Sequence, residues 1–170
     1  KFLAELRRNS EGKLKESLEN IDLEKSAIST PLDLTHHLIT NAPAAGYTRN
    51  DVITALAKTG SAGNPDPAVF AQKLLHYTPE GALRDYIGSL DLAAAGITSP
   101  SELAVHLYQK SSSGKFSSEE VLASLTDLAV SVDPEILKSN LEKLATGNLK
   151  TALNGIDLSK EGIYTTDELI

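Results

Sequence analysis

The chain has 170 residues, of which 41% are hydrophobic and 23% charged, with no cysteine and a formal net charge of −7. This is the composition of a globular chain long enough to bury a core, not of a disordered one, and it excludes a disulfide framework, thiol catalysis and cysteine metal sites. No apolar run approaches the roughly 20 residues of a membrane helix, so membrane insertion is not expected.

The charge is uneven: residues 1–81 carry 9 basic and 10 acidic side chains, residues 82–170 carry 7 and 13. Phosphate backbones are bound by clustered Lys and Arg, and no such cluster occurs, so nucleic acid is not an expected partner. Lack of cysteine leaves the compartment open, since such a chain suits reducing and oxidising surroundings alike.

Along the chain, one triplet recurs. Ile21-Asp22-Leu23 returns as Leu90-Asp91-Leu92 and Ile156-Asp157-Leu158, 69 and then 66 residues on. Leu14, Leu83 and Leu149 each stand seven residues before it, and Ile28, Ile97 and Ile163 five after its leucine. Tyr47-Thr48 and Val52 match Phe116-Ser117 and Val121, and Asp66-Pro67 matches Asp133-Pro134. A fixed period of about 67 residues is the signature of a repeat array. The expected fold is therefore all-α: a tandem helical repeat, solenoid-like or built of stacked helical bundles.

Residues 1–12 read as the tail of a preceding repeat, with Phe2 and Leu6 spaced like Phe70 and Leu74. Residues 13–81 and 82–147 read as two complete units, and 148–170 as the start of a third. The expectation is a window cut from a longer array.

Each unit is predicted to hold four short helices. The first spans about 13–20, with Leu14, Leu18 and Ile21 on one face. The second starts at Thr30, where Thr-Pro-x-Asp supplies an N-cap, a proline at the first helical position and an acidic third residue. The third starts at Thr48 with a capping box, matched by Ser117 to Glu120, and the fourth at Asp66-Pro67. Gly60 to Pro65 and Ser111 to Gly114 read as loops. No stretch has the alternation of a strand.

The recurring aspartates look like a row of carboxylates, but one repeat apart they are too distant to share an ion. Asp is a favoured N-cap and Gly a favoured residue beyond a helix end. Asp22 to Ala27, Asp91 to Gly96 and Asp157 to Gly162 therefore read as capped single turns joining the first and second helices. Ala27 breaks the glycine pattern, which implies a different bend or local strain.

His36, His37, His76 and His106 lack the i, i+4 pairing of helical metal ligands, and each is expected to serve packing or hydrogen bonding. No serine elbow, phosphate loop or calcium loop occurs. Neither catalytic, cofactor nor metal residues are expected, and the chain reads as no enzyme. The reading favoured is a scaffold for a protein partner, with Tyr77, Tyr86 and Tyr108 as candidate contacts, since tyrosine is enriched at binding hot spots. Tyr47 and Phe116 are expected in the core. The alternatives are a spacer between other domains and, less favoured, a ligand-binding or enzymatic domain gathering His36, His37 or His76 with carboxylates.

Overall fold

The structure, a computed structural model, describes every residue except Val132. Among the described residues it is all-helical, with no strand. The helices are α1 (Phe2–Arg8), α2 (Gly12–Asn20), α3 (Pro31–Ala45), α4 (Arg49–Ser61), α5 (Pro67–His76), α6 (Ala82–Ser89), α7 (Pro100–Lys110), α8 (Ser118–Val130), α9 (Pro134–Leu144), α10 (Gly147–Gly155) and α11 (Thr166–Leu169). They fall into two compact units, Lys1–Val130 with α1 to α8 and Ser131–Ile170 with α9 to α11. No helix is long and apolar enough to cross a membrane among the described residues.

Capping chemistry sets the helix starts. Thr30, Thr48 and Asp66 are the N-caps of α3, α4 and α5, whose first helical residues are Pro31, Arg49 and Pro67. At Thr30 and Thr48 the hydroxyl accepts from the amide of Asp33 or Asp51, whose carboxylate accepts from the threonine amide in return. Ser117 and Glu120 make the same reciprocal pair ahead of α8. These bonds hold the carboxyls of Asp33 and Glu120 below their ordinary values, the larger share coming from Ser29 and Thr30 for the first and from Ser117 for the second. Helix α3 carries Pro43 in its last turns, which cannot donate to the carbonyl of Ile39. The Arg49 guanidinium donates to that carbonyl instead, at 3.4 Å.

The three triplets share one local geometry. The amides of Lys25, Ala94 and Lys160 donate to the carboxylates of Asp22, Asp91 and Asp157 at 3.1, 2.9 and 3.3 Å. The turn then closes by two bonds, from Ile28 to Leu23 and from Ala27 to Glu24 in the first case, and the same pair recurs at residues 92–97 and 158–163. This is a Schellman closure, in which the residue before the isoleucine must adopt the left-handed region. Gly96 and Gly162 do so at φ 69° and 71°, and Ala27 does so at 54°. The bend is thus conserved at Ala27, and the strain is what differs.

Within Lys1–Val130, α3, α4, α7 and α8 form a four-helix group. Helix α4 packs on α3, α7 and α8, α8 packs on α3 and α7, and α3 and α7 stand at opposite corners. Leu34, Leu38, Val52, Ile53, Leu56, Leu103, Leu107, Val121 and Leu125 are all buried at its centre. Between α3 and α8, the buried hydroxyls of Thr35 and Thr126 meet at 2.9 Å. Helix α1 packs on α2 and α4, and α5 on α6, α7 and α8. In Ser131–Ile170, α9 packs on α10 and α11, over the buried Leu153 and Leu158.

Two expected loops differ. Helix α4 runs through Gly60 to Ser61, and both are buried. A Cβ on Gly60 would lie 3.0 Å from Leu128 Cγ and 3.5 Å from Phe70 Cε2, so the absence of a side chain permits this close approach of α4 and α8. The Ser111–Ser113 stretch is a 3-10 turn, because each hydroxyl donates back to the carbonyl three residues earlier.

Two predictions follow from these contacts. Gly60→Val overpacks the α4–α8 contact and should destabilise by about 1–3 kcal/mol, with Leu128→Ala restoring part of it in a double-mutant cycle read by urea unfolding. No atom lies within 4 Å of a Cβ placed on Gly96, so the corner isolates a backbone effect. Gly96→Ala should cost about 1 kcal/mol and Ala27→Gly should gain about 0.5–1, by the same measurement.

Candidate functional site

The three tyrosines singled out stand in separate surroundings, each partly buried and packed against the core. Tyr86, on α6, points inward. Its hydroxyl lies 2.8 Å from His106 Nε2, its ring stacks on that imidazole at 6.1 Å between centroids, and Phe116 tilts against it at 5.4 Å. The cluster ties α6 to α7 and to the entry of α8. Burial, and secondarily the charge of Lys110, pushes the His106 pKa down. Tyr47, the counterpart of Phe116, is buried and donates to the carbonyl of Leu38 at 3.0 Å.

Tyr77 closes a small pocket of about 130 Å3 with Thr78, Leu83, Ala123, Ser124 and Asp127. Burial raises the Asp127 carboxyl there, and the buried Ser124 hydroxyl has no hydrogen-bond partner among the described residues. Tyr108, near the end of α7, lines an open groove of about 520 Å3 with Arg49, Asn50, Gln109, Ser112 and Ser118. The groove thus draws on the starts of α4 and α8 and the end of α7.

The histidines are not brought together. His36 and His37 lie on α3, His76 on α5 and His106 on α7. His36 Nε2 sits 2.6 Å from Glu119 Oε2 at the start of α8, off the line of a hydrogen bond. No group of three His, Cys, Asp or Glu stands close enough to hold a metal ion among the described residues. The pairs Tyr86–His106 and His36–Glu119 carry no signal in the sequence, being 20 and 83 residues apart.

Compared with known proteins, the chain matches no family model, no curated protein and no solved structure.

The His106 setting has a pH consequence. A histidine whose folded pKa lies below its unfolded value binds protons more readily unfolded, so its contribution is complete above the unfolded value near 6.5 and is lost as pH falls below it. Melting temperature should therefore fall between about pH 7.5 and pH 5.5, ahead of carboxylate protonation. His106→Gln should flatten that slope, and an unchanged slope would assign the loss elsewhere.

Proposed function

We propose that the chain is a non-enzymatic helical-repeat scaffold that binds a protein partner. On this reading 13–81 (α2–α5) and 82–147 (α6–α9) are complete units between the tail of one repeat and the start of another, and the same period relates α1–α4 to α5–α8 and to α9–α11. The support is the recurring corner together with the recurring packing: α1 on α2, α5 on α6, α9 on α10, and again α1 on α4, α5 on α8. The cross-contacts, α3 with α8, α4 with α7 and α4 with α8, fit two units paired about an approximate two-fold better than stepwise stacking. Stacking by translation would set α3 beside α7.

The observation that carries the binding role is the groove at Tyr108. A half-buried aromatic side chain lines it beside hydrogen-bonding groups from three helices. Partner contacts favour a rigid aromatic with a polar rim. Tyr86 is less suited, because its hydroxyl and ring are already engaged internally.

The test separates binding from folding. Tyr86→Ala should lower the melting temperature, whereas Tyr108→Ala should weaken recovery of a crosslinked partner about tenfold or more with the melting temperature nearly kept. Parallel losses in Tyr108→Ala would remove the interface role. A wild-type chain that captures no partner would favour the spacer alternative.

A further inference from the structure

The small pocket behind Tyr77 holds polar groups that the chain itself does not satisfy. One stripe of α8 faces it, Glu120, Ala123, Ser124 and Asp127, at the three- and four-residue spacing of a single helix side. Tyr77, Pro79 and Leu83 close the opposite side. The walls are therefore apolar, and the charged residues that line them, Glu120 and Asp127, are both acidic.

The acceptors converge without a cation. Glu120 is fixed by its cap, with Oε2 accepting from the Ser117 amide at 2.7 Å. Asp127 has no hydrogen bond or ion pair among the described residues, and burial raises its carboxyl. A hydroxyl inside a helix commonly turns back to the carbonyl four residues earlier, as Thr59 does to Ala55 at 2.8 Å. Ser124, only 2% exposed, makes no such bond. The guanidinium of Arg84 is committed elsewhere, donating to the carbonyls of Leu75 and Thr78 at 2.9 Å each.

The related half of the chain supplies a cation at the same place. On the repeat reading given above, the 69-residue spacing sets Asp127 against Lys58, Ser124 against Ala55 and Glu80 against Glu11. Lys58 Nζ lies 3.3 Å from Glu11 Oε1. Where the first copy carries its own ammonium, the second carries a carboxylate and a hydroxyl. That comparison rests on the repeat reading; the pocket does not.

We propose that this pocket binds a primary alkylammonium group, that of a lysine side chain or of a free amine. The methylenes lie against Tyr77, Pro79 and Leu83. The three ammonium donors meet the carboxylates of Asp127 and Glu120 and the hydroxyl of Ser124. A volume of about 130 Å3 equals roughly four water volumes, which suits a butylammonium group. The tyrosine ring adds its attraction for a cation.

The experiment titrates n-butylammonium chloride into the whole isotope-labelled chain and follows the amide resonances. Saturable shifts should appear at Tyr77, Ala123, Ser124 and Asp127. n-Butanol and ammonium chloride should each bind about tenfold more weakly. Asp127→Asn should weaken butylammonium by about tenfold with the melting temperature kept or raised, because it removes an unpartnered charge. Asp127→Lys should abolish binding, since its own ammonium then stands at the site. A lysine-bearing peptide that binds more tightly than butylammonium assigns the site to a protein partner; weaker binding assigns it to a free amine. Butanol binding as well as butylammonium would overturn the proposal and leave an apolar hollow. So would shifts that never saturate, or Asp127→Asn binding as the wild type does.

Discussion

Helix α4 is enclosed by α3, α7 and α8, and that enclosure dictates the size of the residues it carries. Its buried positions, Val52, Ile53, Ala55, Leu56, Ala57, Gly60 and Ser61, wrap well over half its circumference at 100° per residue. A helix covered on several sides gains apolar burial there but must be thin where neighbours come closest. Gly60 is the limiting case, with Leu128 and Phe70 already at the distance a methyl group would need. A glycine and two threonines make α4 a poor helix in isolation, so its stability derives from packing and from its Thr48 cap. Arg49 joins the end of α3 to the start of α4 by taking the carbonyl that Pro43 leaves free.

Helices of seven to fifteen residues are marginal alone, so the angle at which one leads into the next matters as much as their content. The corners set that angle without long-range help. An aspartate caps a single turn, a left-handed residue ends it, and leucine and isoleucine at either end turn inward. All of this lies within seven residues, which is why it persists with an identical bond pattern at all three sites. Ala27 keeps the geometry at an energetic cost, which shows that the surroundings favour the bend over the local preference of the residue.

What is local was legible in the sequence. Caps at Thr30, Thr48 and Asp66, the corners, and the Leu14–Leu18 stripe of α2 all follow from spacing within a few turns. What depends on approach between distant helices was not. Gly60 resembled the start of a glycine loop, because its reason for being small is Leu128, 68 residues away. The Ser111–Ser113 turn resembled a loop because serine hydroxyls bond backbone in either setting. For the candidate site, the sequence singled out tyrosines by type, whereas their environments differ: Tyr86 is satisfied by His106, Tyr77 walls a small pocket, and Tyr108 lines a groove.

If α1–α4 and α5–α8 are related as proposed, the positions at which they differ bear on how they pair. Thr35 and Thr126 correspond in the alignment to Ala104 and Ala57, all four fully buried or nearly so. On the proposed two-fold, one cross-contact holds two hydroxyls that satisfy one another and its mate holds two alanines. Pairing two first units would set Thr35 against Ala57, leaving a buried hydroxyl without its cross-helix partner, which costs about 1–3 kcal/mol at each contact. Pairing two second units would set Thr126 against Ala104 with the same result. The hydroxyl pair therefore disfavours like-with-like association and selects the first unit's α3 for the second unit's α8. On the repeat reading such a device is needed, because apolar stripes alone would not distinguish one copy from the other.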